Sequence, residues 1–70
     1  MEINLDNIIM EFIDNLGGDY FCEQNGQNGI YNNIFYYKNK KLCEINDNEL
    51  LSLNDKKEII NYLKNKLNIK

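Results

Sequence analysis

The sequence predicts an α+β fold: a three-stranded antiparallel meander sheet flanked by an N-terminal and a C-terminal helix, in the order α-β-β-β-α. Three observations predict it. Helical periodicity is confined to the two ends of the chain. Between them lie aromatic and Ile-bearing runs of strand length. Turn-forming dipeptides built on Asn separate those runs. With 70 residues the chain forms one domain, residues 1–70.

Residues 4–16 read as an amphipathic helix. Leu5, Ile9, Phe12 and Leu16 fall on one stripe, with Ile8 and Ile13 at its edges. Asn4 suits the N-cap and Asp6 the first turn, where the helix dipole favours an anion. Gly17-Gly18 stops the helix, because glycine takes the left-handed position after the last turn without strain. Residues 19–24 then read as a short strand. The segment 25–29 holds two Asn-Gly dipeptides, the strongest short hairpin signal. Residues 30–38 form the best strand in the chain, rich in Tyr, Phe and Ile. Asn39-Lys40 reads as the second tight turn and residues 41–45 as the third strand.

The segment 46–49, Asn-Asp-Asn-Glu, reads as a loop with room for one helical turn through Leu51. It looks like the start of a calcium loop but has neither the central Gly nor the closing Glu. Ser52 and Asp55 have capping-box spacing for a final helix that runs to about Leu67. Leu53, Ile60, Leu63 and Leu67 supply its apolar stripe, with Ile59 beside it. Lys57, Lys64 and Lys70 lie opposite.

Composition removes several chemistries. The chain has no His, Arg, Trp or Pro, so Ser-His and Cys-His pairs, imidazole ligands and bidentate arginine clamps are all unavailable. Cys22 and Cys43 lack the spacing of a metal site and read as reduced, buried thiols. No enzyme activity, metal or cofactor is expected. No apolar run is long enough to span a bilayer. The first seven residues carry acids and no base, the reverse of a secretory leader, so a cytoplasmic location is expected. Fourteen Asn with abundant Ile and Lys point to a low-GC genome, which discounts each Asn as a functional group.

Charge is unevenly placed. Residues 1–37 hold six carboxylates (Glu2, Asp6, Glu11, Asp14, Asp19, Glu23) and no Lys, a balance of −6. Residues 38–70 hold eight Lys against five acids, a balance of +3, for a total of −3. Direct nucleic-acid binding is disfavoured, since that affinity is built from Lys and Arg neutralising phosphate. A protein partner with a basic surface fits better.

Two contact surfaces are expected. On the first helix Asp6, Met10 and Asp14 form a stripe away from the core, with Ile3 and Asn7 beside it. On the sheet, a turn at Asn39-Lys40 pairs Tyr36 with Cys43 and Phe35 with Glu44. That register puts Tyr20, Cys22, Ile34, Tyr36, Cys43 and Ile45 toward the helices. It leaves Phe21, Tyr31, Phe35, Tyr37 and Leu42 as an exposed aromatic patch rimmed by Asp19, Glu23 and Glu44. A competing arrangement buries those rings under a helix or a curled sheet.

The order helix, three-stranded meander, helix over residues 4–68, in a small acidic chain with Asn-rich hairpin loops, resembles certain phage-encoded anti-CRISPR proteins. The resemblance implies a non-catalytic inhibitor whose acidic surface occupies the basic nucleic-acid channel of a CRISPR ribonucleoprotein. On this sequence it nominates Asp6, Asp14, Asp19, Glu23 and Glu44, with Tyr31, Phe35 and Tyr37 as anchors. The expected function is therefore a small acidic protein-interaction module. Two alternatives remain open: a nucleic-acid-binding regulator that uses the Lys-bearing last helix, and a self-associating subunit, a homodimer joined at the aromatic face.

Overall fold

The computed structural model describes residues 4–69; Glu2, Ile3 and Lys70, used above for charge and face, lie outside the described residues. Its elements are α1 (Leu5–Leu16), β1 (Tyr20–Gln27), β2 (Ile30–Tyr37), β3 (Lys40–Asn46), α2 (Asp47–Leu51) and α3 (Lys56–Lys66). The expected α+β arrangement is present, with α2 as the added turn of helix.

Each boundary has a local cause. Asn4 caps α1, its side-chain oxygen accepting from Asn7 N–H at 3.2 Å. Gly17 ends α1 at φ +105°, a value that L side chains rarely adopt. The first hairpin turns on Asn28-Gly29, both at positive φ, between paired Gln27 and Ile30. The second turns on Lys38-Asn39, at φ +48° and +67°, between paired Tyr37 and Lys40. The expected turn, Asn39-Lys40, is thus off by one residue.

The final capping differs too. Ser52 is the C-cap of α2, and its hydroxyl donates to Glu49 O at 2.8 Å. The capping box sits one element earlier: Asn46 Oδ1 accepts from Asn48 N–H, and Glu49 Oε2 accepts from Asn46 N–H. Asp55 caps α3 by accepting from Glu58 N–H at 2.9 Å. Tyr62 on α3 donates to Glu49 at 2.8 Å and ties the two helices. The Asn46 N–H, then the Tyr62 hydroxyl, hold the Glu49 carboxyl below its usual range.

The sheet order is β1-β2-β3, antiparallel throughout. Cys22 pairs with Phe35, and Phe35 with Cys43; Asn33 pairs with Ile45. Between Phe35 and Tyr36 the register shifts, so Leu42 is an extra residue on β3, a β-bulge. Cys22, Phe35 and Ile45 join Leu5, Ile8, Ile9, Phe12, Leu50, Ile59, Leu63 and Leu67 in one buried cluster. All three helices therefore pack on a single side of the sheet. The shortest dimension, 17 Å, leaves room for one sheet and one helix layer.

Two polar side chains, Asn33 and Asp47, are buried with this core. Asn33 is fully buried. Its amide nitrogen donates to Ile45 O at 3.1 Å and to Asp47 Oδ1 at 2.8 Å, and its oxygen accepts from Gln24 at 2.9 Å. Asp47, only 3% exposed, also accepts from Tyr31 N–H at 3.0 Å. Gln24 reaches on to Asp6 of α1 at 3.1 Å.

Asp47→Ala strips a partner from two donors at once, each worth about 1–3 kcal/mol when orphaned; urea unfolding should show a loss of about 2–5 kcal/mol. Gly26→Ala places a Cβ against Ile30 O and 2.7 Å from Tyr31 Cα. It should cost about 1–3 kcal/mol, whereas Gly18→Ala, with nothing within 4 Å, should leave the urea midpoint nearly unchanged.

Candidate functional site

Among the described residues, one side of the sheet has no helix packed over it. Strand alternation from the observed register places Phe21, Glu23, Ile34, Tyr36, Lys41 and Glu44 there. Phe21 is 58% exposed and Leu42, at the bulge, 42%. The Phe21 and Tyr36 rings lie side by side, centroids 6.0 Å apart. Ile34 stands in the next row, between Glu23 and Glu44. Lys41 Nζ meets Glu44 at 3.2 Å, and Glu23 accepts from Asn25 at 3.2 Å. Further along, Asn46 donates to Asn32 at 2.7 Å. The face is thus apolar near the second hairpin, edged by carboxylates, and amide-lined at the other end.

An open side of the sheet was expected, but its membership was not fully right. Phe35, expected in the exposed patch, is 0% exposed and sits at the centre of the core. Tyr31 and Tyr37 share its side of β2 and are half-buried at the margins of the covered face, Tyr37 against Tyr20 at 4.7 Å between centroids. Ile34 and Tyr36, expected inside, face outward instead. The cause is the bulge at Leu42: moving the turn by one residue shifts the pairing by two and keeps the faces, whereas the extra residue on β3 sets Phe35 opposite Cys43 and so exchanges the two faces of β2. Phe21, Glu23, Leu42 and Glu44 keep their expected exposure.

The remaining candidates lie elsewhere. Met10, 43% exposed, and Asp14 are on the outside of the helix layer. Asp6 is at the flank, engaged by Gln24. Asp19 is exposed just before β1, its carbonyl accepting from Lys38 N–H at 2.9 Å. The acidic and apolar residues expected to act together are therefore split between opposite sides of the molecule.

One signal in the sequence pointed to the correct face of β2. Phe35 has no hydroxyl to satisfy and buries completely, whereas Tyr36 keeps its hydroxyl near water. Gln24 and Asp47 were the partners that make Asn33 acceptable in a core, but their approach is visible only in three dimensions.

Other sites have little chemistry to offer. A recess of about 420 Å³ between the start of α1 and the first hairpin is lined by Leu5, Asp6, Tyr31, Asp47 and Leu51. Both of its carboxylates already accept hydrogen bonds from within the chain. Among the described residues no group of three or more His, Cys, Asp or Glu gathers as a metal-ligand set. No helix among them is long and apolar enough to cross a membrane. Cys22 and Cys43 are both free. They flank Phe35 from β1 and β3, two strand spacings apart and so out of reach of each other. Burial, then Asp47, push the Cys22 thiol up to about 12; burial also raises Cys43.

No protein-family model matches the chain, and no solved structure matches it. Among curated proteins, it is similar to penicillin-binding protein 1B of Buchnera aphidicola, with 41% identity over 59 residues. That match covers 84% of this chain and 8% of the other protein. The chain thus spans less than a tenth of the relative's length.

Thiol reactivity should follow burial. With Ellman's reagent at pH 8, the half-buried Cys43 should react first. Cys22, kept protonated, should react only at the rate of opening or after unfolding. Equal rates in the native protein would contradict the burial of Cys22.

Proposed function

We propose that this chain is a non-catalytic protein-interaction module that docks a partner on the open face of its sheet. The observation that supports this most is the contiguous set Phe21, Ile34, Tyr36 and Leu42 on a side that no helix covers. Aromatic side chains in the middle of a contact and charges at its edge are the arrangement that carries affinity in protein interfaces. Glu23 and Glu44 at the rim select a partner whose own rim is basic. A nucleic-acid-handling protein such as a CRISPR ribonucleoprotein, the partner class that the anti-CRISPR resemblance implies, has such a rim. In this reading the chain acts as its inhibitor.

Penicillin chemistry is not part of this reading, although the name of the similar protein speaks of it. Serine enzymes that react with penicillin carry Lys three residues after the nucleophile. The single serine here, Ser52, has Asp55 at that place and spends its hydroxyl on Glu49 O.

The test compares immobilised wild-type chain with Phe21→Ser and Tyr36→Ser, using lysate of a low-GC bacterium and purified CRISPR ribonucleoprotein. A partner docked on this face should be retained by the wild type and weakened at least tenfold by either change, as expected for an aromatic anchor. Retention that ignores both changes would remove the face from the function. Binding to bare nucleic acid that collapses as salt rises would favour the Lys-bearing α3 instead.

A further inference from the structure

The opposite side of the molecule carries a second surface, and its charges are arranged differently. α1 holds Asp6, Glu11 and Asp14 and no base, a balance of −3. α3 holds Lys56, Lys57, Lys64 and Lys66 against Glu58, a balance of +3. The two helices lie side by side in one layer, joined by the Lys56–Glu11 ion pair at 3.3 Å. Between them runs a groove of about 310 Å³ with Ile8, Phe12, Leu16, Ile60 and Ile69 in its lining. Ile60 and Lys64 also line a shallow depression on the outside of α3, bounded by Lys57 and Asn61. On α1, Met10 projects from the same outer side, next to Asp14 one turn on. Among the described residues, Asp14, Lys57 and Lys64 have no ion-pair partner.

We infer that this helix layer is a self-association surface on which a second copy of the chain docks. Charge complementarity selects that occupant. A twofold axis parallel to the helices sets each acidic α1 over the basic α3 of the other copy, and it does so twice. The Met10 side chain of each copy then covers the depression around Ile60 of the other. A different partner would need an acidic and a basic stripe at the same spacing, and the chain itself already has both. A helix of 12 residues is about 18 Å long. The contact is therefore smaller than the roughly 800 Å² per partner of a standard interface. Charge must supply much of the affinity, so the dimer should dissociate steeply with salt. This surface is distinct from the open sheet face and leaves that face free.

The experiment is sedimentation of three samples at low and high salt: wild type, Asp14→Lys and Lys57→Glu. Neither substitution harms its own helix, because each places a charge that the helix dipole favours at that end. The wild type should dimerise at low salt and shift toward monomer at high salt. Each variant alone should weaken dimerisation by about tenfold or more, since two contacts turn repulsive together. An equimolar mixture of the two variants should recover the wild-type dimer, because the lysine introduced on α1 of one variant then meets the glutamate introduced on α3 of the other. A wild type that is monomeric throughout overturns the inference. So does a mixture that fails to recover, or a dimer that survives both changes and is lost with Phe21→Ser. The last result would move the seam to the sheet face and would count against the docking reading as well, whereas the first two would leave that reading untouched.

Discussion

The buried Asn33 amide is the group on which the rest of the molecule depends. It has no water to fall back on, so its hydrogen bonds must come from the chain. They come from every layer at once: Gln24 on β1, the Ile45 carbonyl on β3 and Asp47 at the start of α2. Through Gln24 the network reaches Asp6 on α1. A one-residue slip of β2 would turn Asn33 outward and leave the buried Asp47 carboxylate without its amide partner. Such a slip costs several kcal/mol, a large share of the stability of a domain this small. The register is thus held by polar satisfaction as much as by apolar burial. In turn, the register decides which aromatic side chains reach the surface.

This is also where the sequence stops being legible. Both helices, the three strands, the Asn4 cap, the Gly17 stop and the first hairpin can be read from periodicity and turn chemistry, because those signals are local. The second turn cannot. Lys38-Asn39 and Asn39-Lys40 both lack the glycine that would single out one of them, and each pairs the strands acceptably on its own. Neither choice alone sets the faces of β2, since moving the turn by one residue shifts the pairing by two; the bulge at Leu42 sets them, and expecting it requires knowing that Asn33 can be buried. An isolated Asn argues against burial, since an unpaired amide is costly. Only the approach of residues 9 and 14 positions away, Gln24 and Asp47, reverses that preference. The capping box was misplaced for a similar reason. Ser52 and Asp55 have the spacing, but α2 occupies the preceding segment and makes Ser52 its C-cap.

The bulge changes the character of the candidate site without removing it. Exchanging Tyr31, Phe35 and Tyr37 for Ile34 and Tyr36 keeps an aromatic-aliphatic cluster on the open side, smaller by two rings. Because β3 carries its bulge at Leu42, that residue joins the cluster instead of being lost from it. The carboxylates expected as one acidic surface do not gather. Glu23 and Glu44 edge the sheet, whereas Asp14 belongs to the helix layer behind it. Charge imbalance between the two halves of the sequence becomes, in the fold, an imbalance between two neighbouring helices.

A two-layer fold of this size has two broad sides, and each answers a different question. The sheet side is apolar in its middle with carboxylates at the edge, which favours a foreign partner with a basic rim. The helix side is polar with opposite charges in adjacent stripes, which is self-complementary under twofold rotation. A pair joined through the helices would present two sheet faces, pointing away from each other. Tethered in this way, the two faces would bind a partner that repeats its own contact site with an effective concentration that neither copy has alone. A pair of 70-residue chains would gain affinity by this route with no enlargement of either surface.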